Sequence, residues 1–112
     1  MLYFDLCVLL TAHILGDYTL QGDFLGKCKC KNNFIMCIHC YLWTISIIVG
    51  LFIIGYKSDI LIFGILFISH FIVDKCKANN LDKEKALITL LYIDQSIHCL
   101  IVLLVYILLR GM

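Results

Sequence analysis

The chain has no proline among its 112 residues, and it contains a single arginine, glutamate and tryptophan. Without proline the commonest helix breaker is missing. No period-two apolar pattern is present either, which excludes a transmembrane barrel and leaves helices. There is no glycine-rich phosphate loop and no arginine-rich patch. Nine Lys+Arg against eight Asp+Glu give a formal charge of +1, so the chain carries no nucleic-acid footprint. The N-terminus lacks a basic region, because Asp5 precedes every lysine, and no small-x-small cleavage site follows its apolar stretch. Residues 2–25 therefore read as a retained helix rather than a signal peptide.

What is present is apolar. Hydrophobic residues make up 62% of the chain and the mean hydropathy is +0.99, whereas soluble domains run nearer half apolar. In water so short a chain would bury one small core and leave the surplus exposed; a bilayer removes that conflict. The length suits one domain, 1–112. Apolar stretches at roughly 2–25, 34–55, 60–75 and 86–109 are to be compared with the ~20 residues that span a bilayer. They predict an all-α, antiparallel bundle of four transmembrane helices, the third being the shortest. The linkers Lys27 to Asn33, Tyr56 to Asp59 and Lys75 to Lys85 are short and polar, which makes sequential helices neighbours. Lys27, Lys29, Lys31, Lys75, Lys77, Lys83 and Lys85 fall on one side, and Lys57 and Arg110 on the other. This bias predicts a multi-pass protein of the inner (cytoplasmic) membrane, with both termini outside and the lysine-rich loops in the cytoplasm.

Inside the apolar stretches lie all four histidines and three aspartates: His13, Asp17, His39, His70, Asp74, Asp94 and His98. A carboxylate at the bilayer centre costs roughly 2.5–3.5 kcal/mol on insertion scales, so three of them need partners, protons, water or metal. Alternating topology maps all seven to the cytoplasmic half of the membrane. Residues four apart share a helix face. That groups His13, Asp17 and Gln21; His70 and Asp74 with Lys77; and Asp94 with His98. Gly16 beside the first stripe permits close helix approach.

Histidine and carboxylate donors suit zinc, manganese, iron or nickel. The seven groups are expected to hold a divalent transition metal, with room for two ions bridged by an aspartate. Such a pair can activate water for metal-dependent hydrolysis, with one of Asp17, Asp74 and Asp94 as general base. Gln21, Gln95 and Lys77 would support the ligands from behind, and the cytoplasmic lysines would attract anionic lipid or a phosphate-containing substrate. Two other readings use the same residues: a proton or ion pathway, and a structural polar core of His–Asp hydrogen bonds. Cys28, Cys30, Cys37 and Cys40 could form a surface zinc cluster, but Cys-x-Cys is an unusual zinc pair, and reduced or small apolar cysteines fit better. Tyr3, Trp43, Tyr56 and Tyr106 read as interface anchors or packing residues, and Asp5 and Asp59 as solvated.

Four motifs in order carry a resemblance. They are His13-Ile-Leu-Gly-Asp17-Tyr-Thr-Leu-Gln21-Gly-Asp23-Phe24, His39 before Trp43-Thr44, His70-Phe-Ile-Val-Asp74-Lys-Cys-Lys77, and Asp94-Gln95-Ser-Ile-His98. Over most of its length the chain resembles the domain of unknown function 3307 (DUF3307) family of small bacterial and phage membrane proteins. Phe24 stands where tryptophan is expected and Gly22 where a polar residue is expected; neither is a proposed ligand. The resemblance implies an integral membrane protein with polar helix motifs, and no particular reaction. The His-x-x-x-Asp pattern is also similar, more loosely, to that of membrane-bound metal-dependent hydrolases.

Overall fold

The computed structural model describes residues 2–19, 32–79 and 87–111, which form helices and no strand. Helix α1 spans Leu2–Ile14 and runs directly into a π-helical turn, Leu15–Thr19. Helix α2 spans Asn33–Ile53, α3 Ile60–Asn79 and α4 Leu87–Arg110. Residues 20–25 of the expected first helix lie outside the described residues. Two of the expected boundaries need correcting. The first helix changes to the wider π geometry at Leu15 instead of staying α-helical, and the third does not stop near residue 75. It runs on to Asn79, because the polar Lys75-Cys-Lys77 continuation forms helix as readily as the apolar stretch before it.

Local chemistry sets the helix starts. Asn32 has an extended backbone and its side chain accepts from the Phe34 N–H at 2.8 Å, capping α2. Asp59 does the same for α3, accepting from the Ile62 N–H at 3.0 Å. Gly55, at φ 99°, makes the left-handed turn that ends α2, where L side chains are strained. Lys75 Nζ donates to Asn33 Oδ1 at 2.6 Å and ties the last turns of α3 to the start of α2.

The helices pack in sequence, α1 on α2, α2 on α3 and α3 on α4, and α1 also touches α4. The α1–α2 contact is a seam of small residues, Ala12 and Gly16 facing Ser46 and Gly50. Ser46 Oγ donates to the Ala12 carbonyl at 2.6 Å. A Cβ on Gly16 would stand 2.9 Å from Trp43 Cα, and one on Gly50 would stand 3.0 Å from Ala12 Cβ. Small residues at four-residue spacing let two helix backbones approach this closely.

The interior divides along the bundle. At one end Leu9, Ile47, Leu51, Leu66, Val105 and Tyr106 form an apolar core. Tyr106 closes it, donating to Asp5 Oδ2 at 2.7 Å and packing edge-on against Tyr56. Asp5 and Tyr106 thus join α1 to α4, and Asp5 is a hydrogen-bond acceptor rather than simply solvated. At the other end the buried side chains are mostly polar: His13, Asp17, His39, Thr44, His70, Asp74, Asp94 and His98. The outside is the reverse, with Phe34, Phe52, Ile60, Ile68, Leu104 and Ile107 all exposed. Helix α2 and the Tyr92–Arg110 stretch of α4 are long and apolar enough to cross a membrane.

The seam gives a direct test. Gly16→Val should destabilise the purified protein by about 1–3 kcal/mol, as overpacking does, and lower its thermal midpoint. Gly64→Ala, with nothing within 4 Å of the added Cβ, should leave the midpoint unchanged or raise it. Equal midpoints for the two variants would contradict the close α1–α2 contact.

Candidate metal centre

The polar end of the bundle is built from all the described helices. Asp17 comes from the π turn after α1, His39 from α2, His70 and Asp74 from α3, and Asp94 and His98 from α4. His70 and Asp74, like Asp94 and His98, are four apart on a regular helix and so lie on one face. His39 lies six residues into α2, about 9 Å along its axis. Asp17 is on the wider turn, a geometry concentrated at functional sites, where the neighbouring Gly16 rests on the Trp43 backbone.

Four donor atoms converge. His39 Nε2 is 2.8 Å from Asp74 Oδ2 and 3.3 Å from Asp17 Oδ1. His70 Nε2 is 3.3 Å from Asp74 Oδ2 and 3.8 Å from Asp17 Oδ1. The two Nε2 atoms are 3.0 Å apart. Each of the four residues is at most 5% exposed. An ion with four N/O ligands at 2.0–2.1 Å in a tetrahedron has ligand–ligand edges of roughly 3.3 Å. The five measured edges scatter around that value. His39, His70, Asp17 and Asp74 are accordingly a donor set of the right type and spacing for one ion.

Aromatic rings wall the site. Trp43 stacks on His70 at 4.2 Å between centroids and 13° between planes, and His70 stacks on His98 at 4.3 Å. These stacks hold the imidazole planes, while His70 Nδ1 has no hydrogen-bond partner among the described residues. Trp43 is fully buried, a core member of the site rather than an interface anchor. Its position four residues after His39, on the same helix face, was the signal in the sequence for this role.

His13 is arranged differently from the other histidines. The Trp43 indole N–H donates to His13 Nδ1 at 2.9 Å. Indole nitrogen is a donor only, so Nδ1 must be the bare nitrogen and Nε2 carries the proton. Nε2–H donates to Gln95 Oε1 at 2.7 Å. The Gln95 amide nitrogen in turn donates to Asp17 Oδ2 at 3.0 Å and Asp94 Oδ2 at 2.9 Å. Ionised carboxylates only accept, which fixes the orientation of the amide and the tautomer of His13 together. A directed chain thus runs from Trp43 through His13 and Gln95 to two carboxylates. His13 lies near Asp17 and His98, but both its ring nitrogens are already engaged. With its ring nitrogens so engaged it links Trp43 to Gln95, while remaining close enough to Asp17 and His98 to form a donor group with them.

Gln95, expected to support the ligands from behind, hydrogen-bonds His13, Asp17 and Asp94. Gln21 and the Lys77 side chain lie outside the described residues, as do Cys28 and Cys30. Cys37 is half-buried on α2, and Cys7, Cys37 and Cys99 are free thiols.

The class defined by these observations is an all-helical protein with a buried His/Asp group able to hold a metal ion. A family model described as "Protein of unknown function (DUF3307)" matches residues 6–111, and the chain belongs to that family. No curated protein and no solved structure matches it.

The hydrogen-bond chain has a spectroscopic signature. In protein labelled with 15N-histidine, His13 should show the neutral Nε2–H tautomer. Trp43→Phe keeps a ring in the stack but strips Nδ1 of its donor, and should cost about 1–3 kcal/mol of stability, as an unsatisfied buried acceptor does. A protonated or Nδ1–H His13 in the unaltered protein would refute the chain.

Proposed function

We propose that the chain is a four-span integral membrane protein that holds a divalent transition-metal ion between His39, His70, Asp17 and Asp74. The observation that carries this reading is the convergence of two imidazole nitrogens and two carboxylate oxygens at near-tetrahedral spacing. Charge supports it. Two carboxylates neutralise one divalent ion, and a neutral centre is the form a low-dielectric interior tolerates best. Among the described residues no lysine or arginine is buried to serve instead. Zinc, manganese, iron and nickel all accept such donors.

The membrane reading rests on the apolar exterior and polar interior, an arrangement that in water would leave large apolar patches exposed. Helices α2 and α4 are long enough to span by themselves. In this reading α1 and α3 complete a single four-span domain in the bacterial inner membrane. The lysine bias orients it with both termini outside, its cytoplasmic loops facing anionic lipid. Four protein donors fill a tetrahedral ion and leave no position for water. The function proposed for this first position is therefore metal binding, and hydrolysis is not assigned to it.

Protein purified in detergent without chelators should carry at least one equivalent of a divalent transition metal per chain. Asp17→Asn and His39→Ala should each lose most of it, as metal analysis would report. Folded, metal-free protein would end the metal reading. Proton flux into liposomes that Asp94→Asn abolishes would then identify a proton relay, and absence of flux a structural polar core. For orientation, an impermeant thiol reagent should leave Cys28, Cys30 and Cys76 unlabelled in intact cells and label them after permeabilisation. Labelling without permeabilisation would invert the topology.

A further inference from the structure

His98 is fully buried, and neither of its ring nitrogens has a hydrogen-bond partner among the described residues. Its Nε2 lies 3.6 Å from Asp74 Oδ1. Its Nδ1 lies 3.6 Å from Asp94 Oδ1 and 4.0 Å from Asp17 Oδ2. These separations are too long for hydrogen bonds, and one of the two ring nitrogens is free to serve an ion while the other points to the opposite edge of the ring. One donor atom from each of Asp74, Asp94 and His98 lies within 4.8 Å of the other two. Asp74 faces both ways: its Oδ2 turns to His39 and His70, and its Oδ1 to His98. A carboxylate so placed has the geometry of a bridge between two ions.

Charge gives an independent reason. Asp17, Asp74 and Asp94 bring three negative charges into the interior, and one divalent ion leaves one of them uncompensated. Two divalent ions bring four positive charges. A single hydroxide then restores neutrality, and three protein donors leave a coordination position for it.

We propose that a second divalent transition-metal ion sits between His98, Asp94 and Asp74, bridged through Asp74 to the first, with a hydroxide in its open position. This rests on the first ion being bound as described above. The hydroxide derives from a water molecule that enters the position and loses one proton to solvent. The electron pair of the broken O–H bond stays on the oxygen, and the ion favours that loss by lowering the pKa of the water. His98 and Asp94 hold this second ion alone, and Asp74 serves both.

Cobalt(II) is a suitable probe, since it takes the same donors and is paramagnetic. The full chain in detergent, stripped of metal and titrated with cobalt(II), should saturate at two equivalents. His98→Phe keeps the stack on His70 but offers no donor atom, and should saturate at one. Asp94→Asn should weaken the second binding step at least ~10-fold, in the range that loss of a metal-site partner produces, and spare the first. At two equivalents the integrated electron paramagnetic resonance signal should fall below that of two isolated ions, because the shared carboxylate couples them. Saturation of the unaltered chain at one equivalent overturns this proposal and leaves the first ion in place. No binding at all removes both readings. Two equivalents in a His98→Phe protein, or a signal equal to two isolated ions, also overturns it. Should His98→Phe not fold, the second step of Asp94→Asn decides the matter alone.

Discussion

Three carboxylates are buried together, and among the described residues no lysine or arginine is buried with them. The rest of the site can be understood as an answer to that constraint. A buried carboxylate is stable only when its charge is shared or neutralised. The four histidines lie around the aspartates, and the amide of Gln95 spans two of them. Even the helix packing serves this end. The small-residue seam brings α1 against α2 closely enough for Asp17, on α1's continuation, to reach His39 on α2.

The histidines do not share one job. His39 and His70 present Nε2 to both carboxylates of the four-donor set. His98 faces two carboxylates with opposite sides of its ring. His13 has given both its nitrogens to the protein and aims Gln95. One tryptophan connects three of the four, donating to His13, stacking on His70 and tilting against His98. Polar networks of this kind are stable when every member is satisfied and costly when one is not. The indole that orients His13 also sets the plane of a donor imidazole, so the support and the donor set are mechanically one unit.

Much of this was legible in the sequence. Apolar runs marked the helices to within a few residues in α2 and α4. The i,i+4 spacing of His70 with Asp74 and of Asp94 with His98 translated directly into shared faces, because those helices are regular. Three features were not legible. The π turn at Leu15–Thr19 has no signature in hydropathy, since it changes the residues per turn and not their character. The linking of His13 to Trp43 and Gln95 depends on which atom of Trp43 meets which atom of His13, and spacing along a chain carries no such information. The end of α3 was placed too early because hydropathy marks where apolar character stops and not where helix stops.

A π turn accommodates more residues per revolution than the α-helix on which it is grafted. Within Leu15–Thr19 each residue therefore advances the screw by a smaller angle than in the α-helix before it. Any face traced along the first segment by counting in hundreds of degrees loses phase across this turn. Removing one residue from it would restore a continuous α-helical thread and change which side chain occupies each position of the turn. The angular position of Asp17 is thus set by the length of the segment as much as by the identity of its side chains.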